Sequence, residues 1–185
     1  MKLNKIFALA ISCALVAGVL VGCGGGDSQT ESNSGSSQAE TNSGDSSAAS
    51  QTADVKAAAD AVLAANPMSD VLPIDDNIVS LELGLAEDSY TAYAGATARD
   101  QNDSGRVIVI AYAEGQEKAV TDALEAYRQA QVTFFGNYPE FADAQARLEN
   151  DYALVSGNGI AILAVASNEC SDVSAMTAAA EKLVK

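Results

Sequence analysis

Between residues 24 and 53 no side chain is both apolar and larger than alanine. The segment is built almost wholly from Gly, Ser, Gln, Asn, Thr, Ala, Asp and Glu. Without larger apolar groups there is nothing to bury, and nothing to offset the entropy lost on ordering the chain. This stretch therefore reads as a linker, and any core must come from the residues after it. As a Gly/Ser-type coil of 30 residues it spans roughly 30 Å root-mean-square. The remainder, residues 54–185, is about 130 residues long, enough for one domain with its own core.

Ahead of the linker stands a different pattern. Met1-Lys2-Leu3-Asn4-Lys5 carries two cations and no acid, and an apolar run from Ile6 to Val21 succeeds it, broken by Ser12 and Cys13. This is the charged start and apolar centre of a secretory signal, shorter than the roughly 20 residues a membrane-spanning helix needs. The run closes on Leu20-Val21-Gly22-Cys23, which resembles the lipobox of bacterial lipoproteins. The resemblance implies cleavage between Gly22 and Cys23, with Cys23 acylated and becoming the mature N-terminus. Each buried methylene contributes about 0.8 kcal/mol, and two acyl chains hold firmly where one holds reversibly. The expected partner at this end is the lipid bilayer, with the domain on the extracytoplasmic side of the cell membrane.

Removing residues 1–22 takes away Lys2 and Lys5, leaving 8 cations against 25 acids and a formal charge of −17. Such a chain does not bind nucleic acid through bulk charge. The sequence contains no histidine, which removes Ser-His-Asp and Cys-His catalysis and His-ligated zinc together. No cofactor is expected. With Cys13 lost and Cys23 acylated, Cys170 is left alone in the domain, so no internal disulfide can form there. It comes after an apolar run and reads as a small buried or half-buried residue.

Along the domain, Thr52–Ala65 reads as a helix ended by Asn66-Pro67. Residues 68–85 read as extended or irregular chain, with a short helical turn near Glu87–Tyr90. Tyr90–Ala98 and Arg106–Ala113 are strands around an Asp100–Gly105 turn. From Glu117 the spacing of Val120, Ala123, Leu124, Tyr127 and Phe134 is helical and predicts that these face a sheet. Gly136-Asn137-Tyr138-Pro139 interrupts, and Pro139 opens a second short helix with Phe141, Ala144 and Leu148 inward. Tyr152–Val155 and Ile160–Ala166 form a second hairpin, and Ser171 or Asp172 caps a last helix carrying Val173, Met176, Ala180 and Leu183. The expected fold is α+β, in the order α-β-β-α-α-β-β-α. It has about four antiparallel strands in two hairpins, with helices packed on one face.

Several of these residues together resemble a lipoprotein domain family of unknown function found in Clostridia and related Firmicutes. They are Leu83-Gly84-Leu85, the segment around Tyr90, the turn Gly115-Gln116-Glu117-Lys118, the break Phe135-Gly136-Asn137-Tyr138-Pro139-Glu140, and a closing hairpin with Gly-Asn in its turn. The resemblance covers roughly residues 54–170. Arg106-Val107-Ile108 stands where members often carry an acid. The family implies a lipid-anchored extracellular domain with no established activity. Its members often sit beside membrane-bound O-acyltransferases of envelope polysaccharide modification.

Three chemical readings arise from the residues. Asp100-x-Asn102-x-Ser104-Gly105 matches the first half of a calcium loop, but the twelfth position is Ala111 where a bidentate Glu is needed, so the segment reads as a hairpin turn. Asp75-Asp76 and Glu87-Asp88 are adjacent carboxylates whose side chains point apart, which reads as solvated turns. The tyrosines suit a binding surface, and Tyr93, Arg99 and Tyr138 are the candidate exposed patch. The favoured function is a non-catalytic binding or accessory module of the cell envelope, its partner an envelope protein or a polysaccharide-modifying system. One alternative is a carboxylate-only envelope glycan hydrolase, which needs two carboxyls about 5–10 Å apart across a groove. The other is a small solute-binding lipoprotein, which needs an enclosed apolar pocket.

Overall fold

The computed structural model describes residues 45–185, with side chains from residue 54 onward. The signal segment, Gly22, Cys23 and most of the expected linker lie outside the described residues. Both expected hairpins are present. β2 (Tyr90–Ala98) pairs with β3 (Arg106–Tyr112), and β4 (Tyr152–Gly157) with β5 (Ile160–Val165), all antiparallel. The two hairpins join through their inner strands, with Ile108 opposite Leu163 and Ile110 opposite Ala161. A fifth strand, β1 (Val71–Pro73), lies against β2 with Leu72 opposite Thr97. The sheet therefore has five strands rather than four, in the order β1-β2-β3-β5-β4. Three residues ending in proline carry little strand signal, and an edge is where a strand with a missing N–H is tolerated.

Helices cover both faces of the sheet, in place of the one face expected. On one side α1 (Asp45–Leu63) and α4 (Val173–Leu183) pack Val55, Val62, Met176 and Ala180 onto Val107, Val109, Ile162 and Ala164. On the other, α2 (Glu117–Gly136) and α3 (Ala142–Asn150) pack Val120, Leu124, Ala144 and Leu148 onto Ile108, Ile110, Leu163 and Val165. The sequence does carry this signal. Val107–Ala111 and Ala161–Ala166 are unbroken apolar runs, and every residue in them is buried, as in strands covered on both faces.

α1 begins at Asp45, seven residues ahead of Thr52 and inside the segment that reads as linker. Neither Gly nor Pro occurs from Asp45 to Ala65, so nothing local stops an alanine-rich helix from running back toward Gly44. The helical turn expected near Glu87 lies earlier, as one π-type turn at Ile78–Glu82. Its start is held by Asp75 Oδ1, which accepts the Ile78 N–H at 3.1 Å. In α2 Tyr127 is inward as expected, but at the helix end the inward aromatic is Phe135 rather than Phe134. α4 is capped as expected: Asp172 Oδ1 accepts the Ala175 N–H at 2.9 Å.

One polar side chain ties the helical layer to the sheet. Asn66, fully buried just past α1, donates to the Val165 carbonyl at 2.9 Å and accepts the Ser167 N–H at 2.9 Å. An amide there satisfies main-chain groups at the end of β5 that burial would otherwise leave unpaired. Cys170 is buried beside it, its Sγ 3.7 Å from the Ala65 carbonyl.

Candidate functional site

The three residues expected to form one exposed patch are placed apart and used differently. Arg99, just beyond β2, donates from Nε to Asp70 at 3.1 Å, an exposed ion pair of little energetic weight. Tyr93 lies on β2 over the core packed by α2, and its hydroxyl donates to Asp76. That bond, with burial and the Asp76 charge behind it, pushes the phenol up to about 12. Tyr93 is thus a pin between β2 and the Ile78–Glu82 turn. Because its folded value lies above the ordinary 10.0, its contribution to stability is fully present below pH 10 and is lost as pH rises toward 12. A tyrosinate absorbance titration, differenced against Tyr93→Phe, is expected to show one phenol near 12. In Asp76→Ala that phenol should return toward 10.0; no change there would remove Asp76 as the cause.

Tyr138 is the member of the trio that stands in a partly exposed aromatic cluster. Pro139 starts a 3-10 turn, Pro139–Phe141, that folds the chain between α2 and α3. The corner gathers four aromatic rings. Phe134 meets Phe135 at 5.5 Å between ring centres and Tyr138 at 5.6 Å. Phe141 closes the set at 5.5 Å from Phe135 and 5.8 Å from Tyr138. The mostly edge-to-face arrangement is the favoured one for aromatic pairs. Phe135 anchors the cluster in the core, while Phe134 is 51% exposed and Tyr138 44%. The helical spacing predicts Phe134 inside. One residue of helical phase turns it outward and Phe135 inward, and both fit the apolar spacing of the sequence.

Other candidate chemistry resolves into structure. In the Asp100–Gly105 turn, Asp100 Oδ1 accepts the Asn102 N–H at 2.9 Å, and Asp103 Oδ1 accepts the N–H of Gly105 at 2.8 Å. These carboxylates close the turn. Among the described residues no three His, Cys, Asp or Glu side chains gather where a metal could sit. An open depression of about 540 Å³ lies at the start of α2, between Tyr112, Lys118 and Ser156. Its carboxylates, Glu117 and Asp122, come from one helix and are engaged: Glu117 accepts the Ser156 hydroxyl at 2.8 Å and Asp122 pairs with Lys118. They do not face each other across a groove, which is the geometry glycoside hydrolysis requires.

Two buried arginines have no signal in the sequence. Arg106 opens β3 and is buried; it donates to the Tyr127 hydroxyl at 2.8 Å and to the Ser104 carbonyl at 2.9 Å. Burial raises the Tyr127 phenol, and the Arg106 charge opposes that rise. Arg128 grips Glu125 with two bonds of 2.9 and 2.6 Å, donates to the Leu148 carbonyl at 2.6 Å, and lies 4.0 Å over the Tyr152 ring. It thereby ties α2, α3 and β4 together. A charge within a surface helix reads as solvated, and only the partners brought by other elements make Arg128 an interior residue.

No curated protein and no solved structure matches the chain. Residues 64–165 match a family described as a domain of unknown function, DUF4358. The matched span runs from just past α1 through β5, so the five strands, α2, α3 and the aromatic corner fall within it, while the whole of α1 and of α4 falls outside. That match covers more than half of the chain, which belongs to the DUF4358 family.

Proposed function

We propose that the chain is a lipid-anchored, extracytoplasmic binding module that offers its aromatic corner to a partner in the cell envelope. The observation that carries the reading is the exposure of Phe134 and Tyr138 on a rigid aromatic base. Large rings held in place contribute contact area at little cost in side-chain entropy, which is why aromatics dominate binding hot spots. Tethering through Cys23 raises the effective concentration of an envelope partner, so weak contacts suffice. The partner is an envelope protein or an envelope polysaccharide system.

Two measurements test this. Cys23→Ser is expected to move the protein from the salt-washed membrane fraction to the soluble fraction; retention in the membrane would end the anchoring reading. A photo-crosslinking amino acid in place of Tyr138, in cells making the anchored chain, is expected to capture a discrete envelope component. That capture should be lost with Phe134→Ser. Capture unaffected by Phe134→Ser, or none at all, would end the binding reading.

A further inference from the structure

The two edges of the sheet are built differently. At one edge β1 has three residues, and Pro73 has no N–H to offer; beside it β2 is bulged between Tyr90 and Ala92. A short strand, a proline and a bulge are the usual means of keeping an edge from pairing. At the other edge β4 has none of them. It runs six residues in unbroken register, from Tyr152 opposite Val165 to Gly157 opposite Ile160. Its sequence, Tyr-Ala-Leu-Val-Ser-Gly, has no proline and no charge.

The ladder's parity identifies which main-chain groups of β4 are open. The Tyr112 N–H bonds the Gly159 carbonyl, and the Ala166 N–H bonds the Asp151 carbonyl at 2.9 Å. Odd-numbered residues of β5 therefore face β3 and even-numbered ones face β4, so Ala153, Val155 and Gly157 are the β4 residues turned inward. In an antiparallel ladder both main-chain groups of a residue point the same way. Tyr152, Leu154 and Ser156 consequently turn their N–H and C=O groups outward, and among the described residues nothing bonds them there. Donors and acceptors repeating at every second residue are complementary to one thing, an extended polypeptide.

Charge selects the kind of polypeptide. The elements flanking β4 carry seven acids, Glu117, Asp122, Glu125, Asp143, Glu149, Asp151 and Glu181, against five cations, Lys118, Arg128, Arg147, Lys182 and Lys185, of which all but Lys182 are paired with those acids, leaving a net charge of −2. A second copy of this chain would bring the same acidic rim against itself. We infer that β4 is an open pairing edge that takes up an extended segment of another polypeptide, uncharged along the paired residues and basic at its flanks. This surface is distinct from the aromatic corner and stands without it.

The test is amide hydrogen exchange on the full chain carrying Cys23→Ser. The probe is a synthetic peptide, Lys-Lys-Thr-Val-Thr-Val-Thr-Lys-Lys, compared with the same core flanked by glutamates. In the free chain the amides of Tyr152, Leu154 and Ser156 are expected to exchange fast and those of Ala153 and Val155 slowly. The lysine-flanked probe should slow the outward three by about tenfold or more, and the glutamate-flanked one should not. Leu154→Pro removes one outward N–H and no β5 bond, so it should abolish protection. If that variant does not fold, an N-methylated lysine-flanked probe must fail to protect in its place. Slow outward amides in the free dilute chain would overturn the inference, as would equal protection by both probes. Protection that grows with protein concentration alone would also overturn it, assigning the edge to a second copy.

Discussion

Gly95→Ala is expected to cost about 4 kcal/mol or more, at the far end of what one substitution does. Gly95 sits within β2 at φ +140°, a conformation L side chains rarely adopt, and an added Cβ would stand 1.9 Å from the Val107 carbonyl oxygen. That oxygen belongs to a central strand, so relief requires breaking the β2–β3 ladder rather than turning a side chain. Domains of this size are stable by only about 5–15 kcal/mol. Gly84 and Gly115 provide the comparison. Both have positive φ but nothing within 4 Å of an added Cβ, so alanine there should cost only about 1–2 kcal/mol, the left-handed backbone penalty. Urea midpoints of the three variants measure the difference. A Gly95→Ala protein as stable as Gly84→Ala would show that the strand is not held as described.

Arg128→Met is expected to cost about 2–4 kcal/mol, chiefly because it leaves the buried Leu148 carbonyl without its donor and Tyr152 without the cation on its face. The two ends of its ion pair are unequal. The Arg128 side chain is 5% exposed and that of Glu125 38%, so Glu125 can return to water when its partner is removed. Glu125→Gln should accordingly cost much less, about 1 kcal/mol or under. Hydrogen bonds from Arg128 hold the Glu125 carboxyl below its ordinary value of 4.5. Its share of stability is therefore present above that value and is lost as pH falls through the depressed one. Arg128→Met should lose this acid-side component. Urea unfolding at neutral pH and near pH 3.5 measures both effects; an Arg128→Met protein as stable as wild type would show that α2, α3 and β4 are held together by packing alone.

Much of the fold is legible along the chain. The boundaries of β2 and the turn at Asp100–Gly105 come from a change of period and a cluster of turn formers, which are local facts. The starts of α2 and of the Pro139 turn and the Asp172 cap are local as well. β1 escapes a reading of the sequence because three residues carry no period. The second helical layer is harder to place, although the unbroken apolar runs of β3 and β5 point to it; such a run marks a strong strand before it marks one covered twice. Of the candidate patch, only Tyr138 is exposed without a side-chain partner for its polar group among the described residues. Tyr93 and Arg99 are taken up by Asp76 and Asp70, acids that lie far away in sequence.

The sequence by itself determined the two hairpins, the helices around them, the α+β class and the lack of histidine, since each depends on composition or on spacing within a few residues. Only the tertiary structure decided which aromatic faces out, which arginines are interior, and which sheet edge is left open. Those depend on partners from distant elements and on the parity of a ladder. A shift of one residue in helix phase or strand register, invisible in the pattern, exchanges Phe134 with Phe135 and turns Leu154 from the open edge to the paired one.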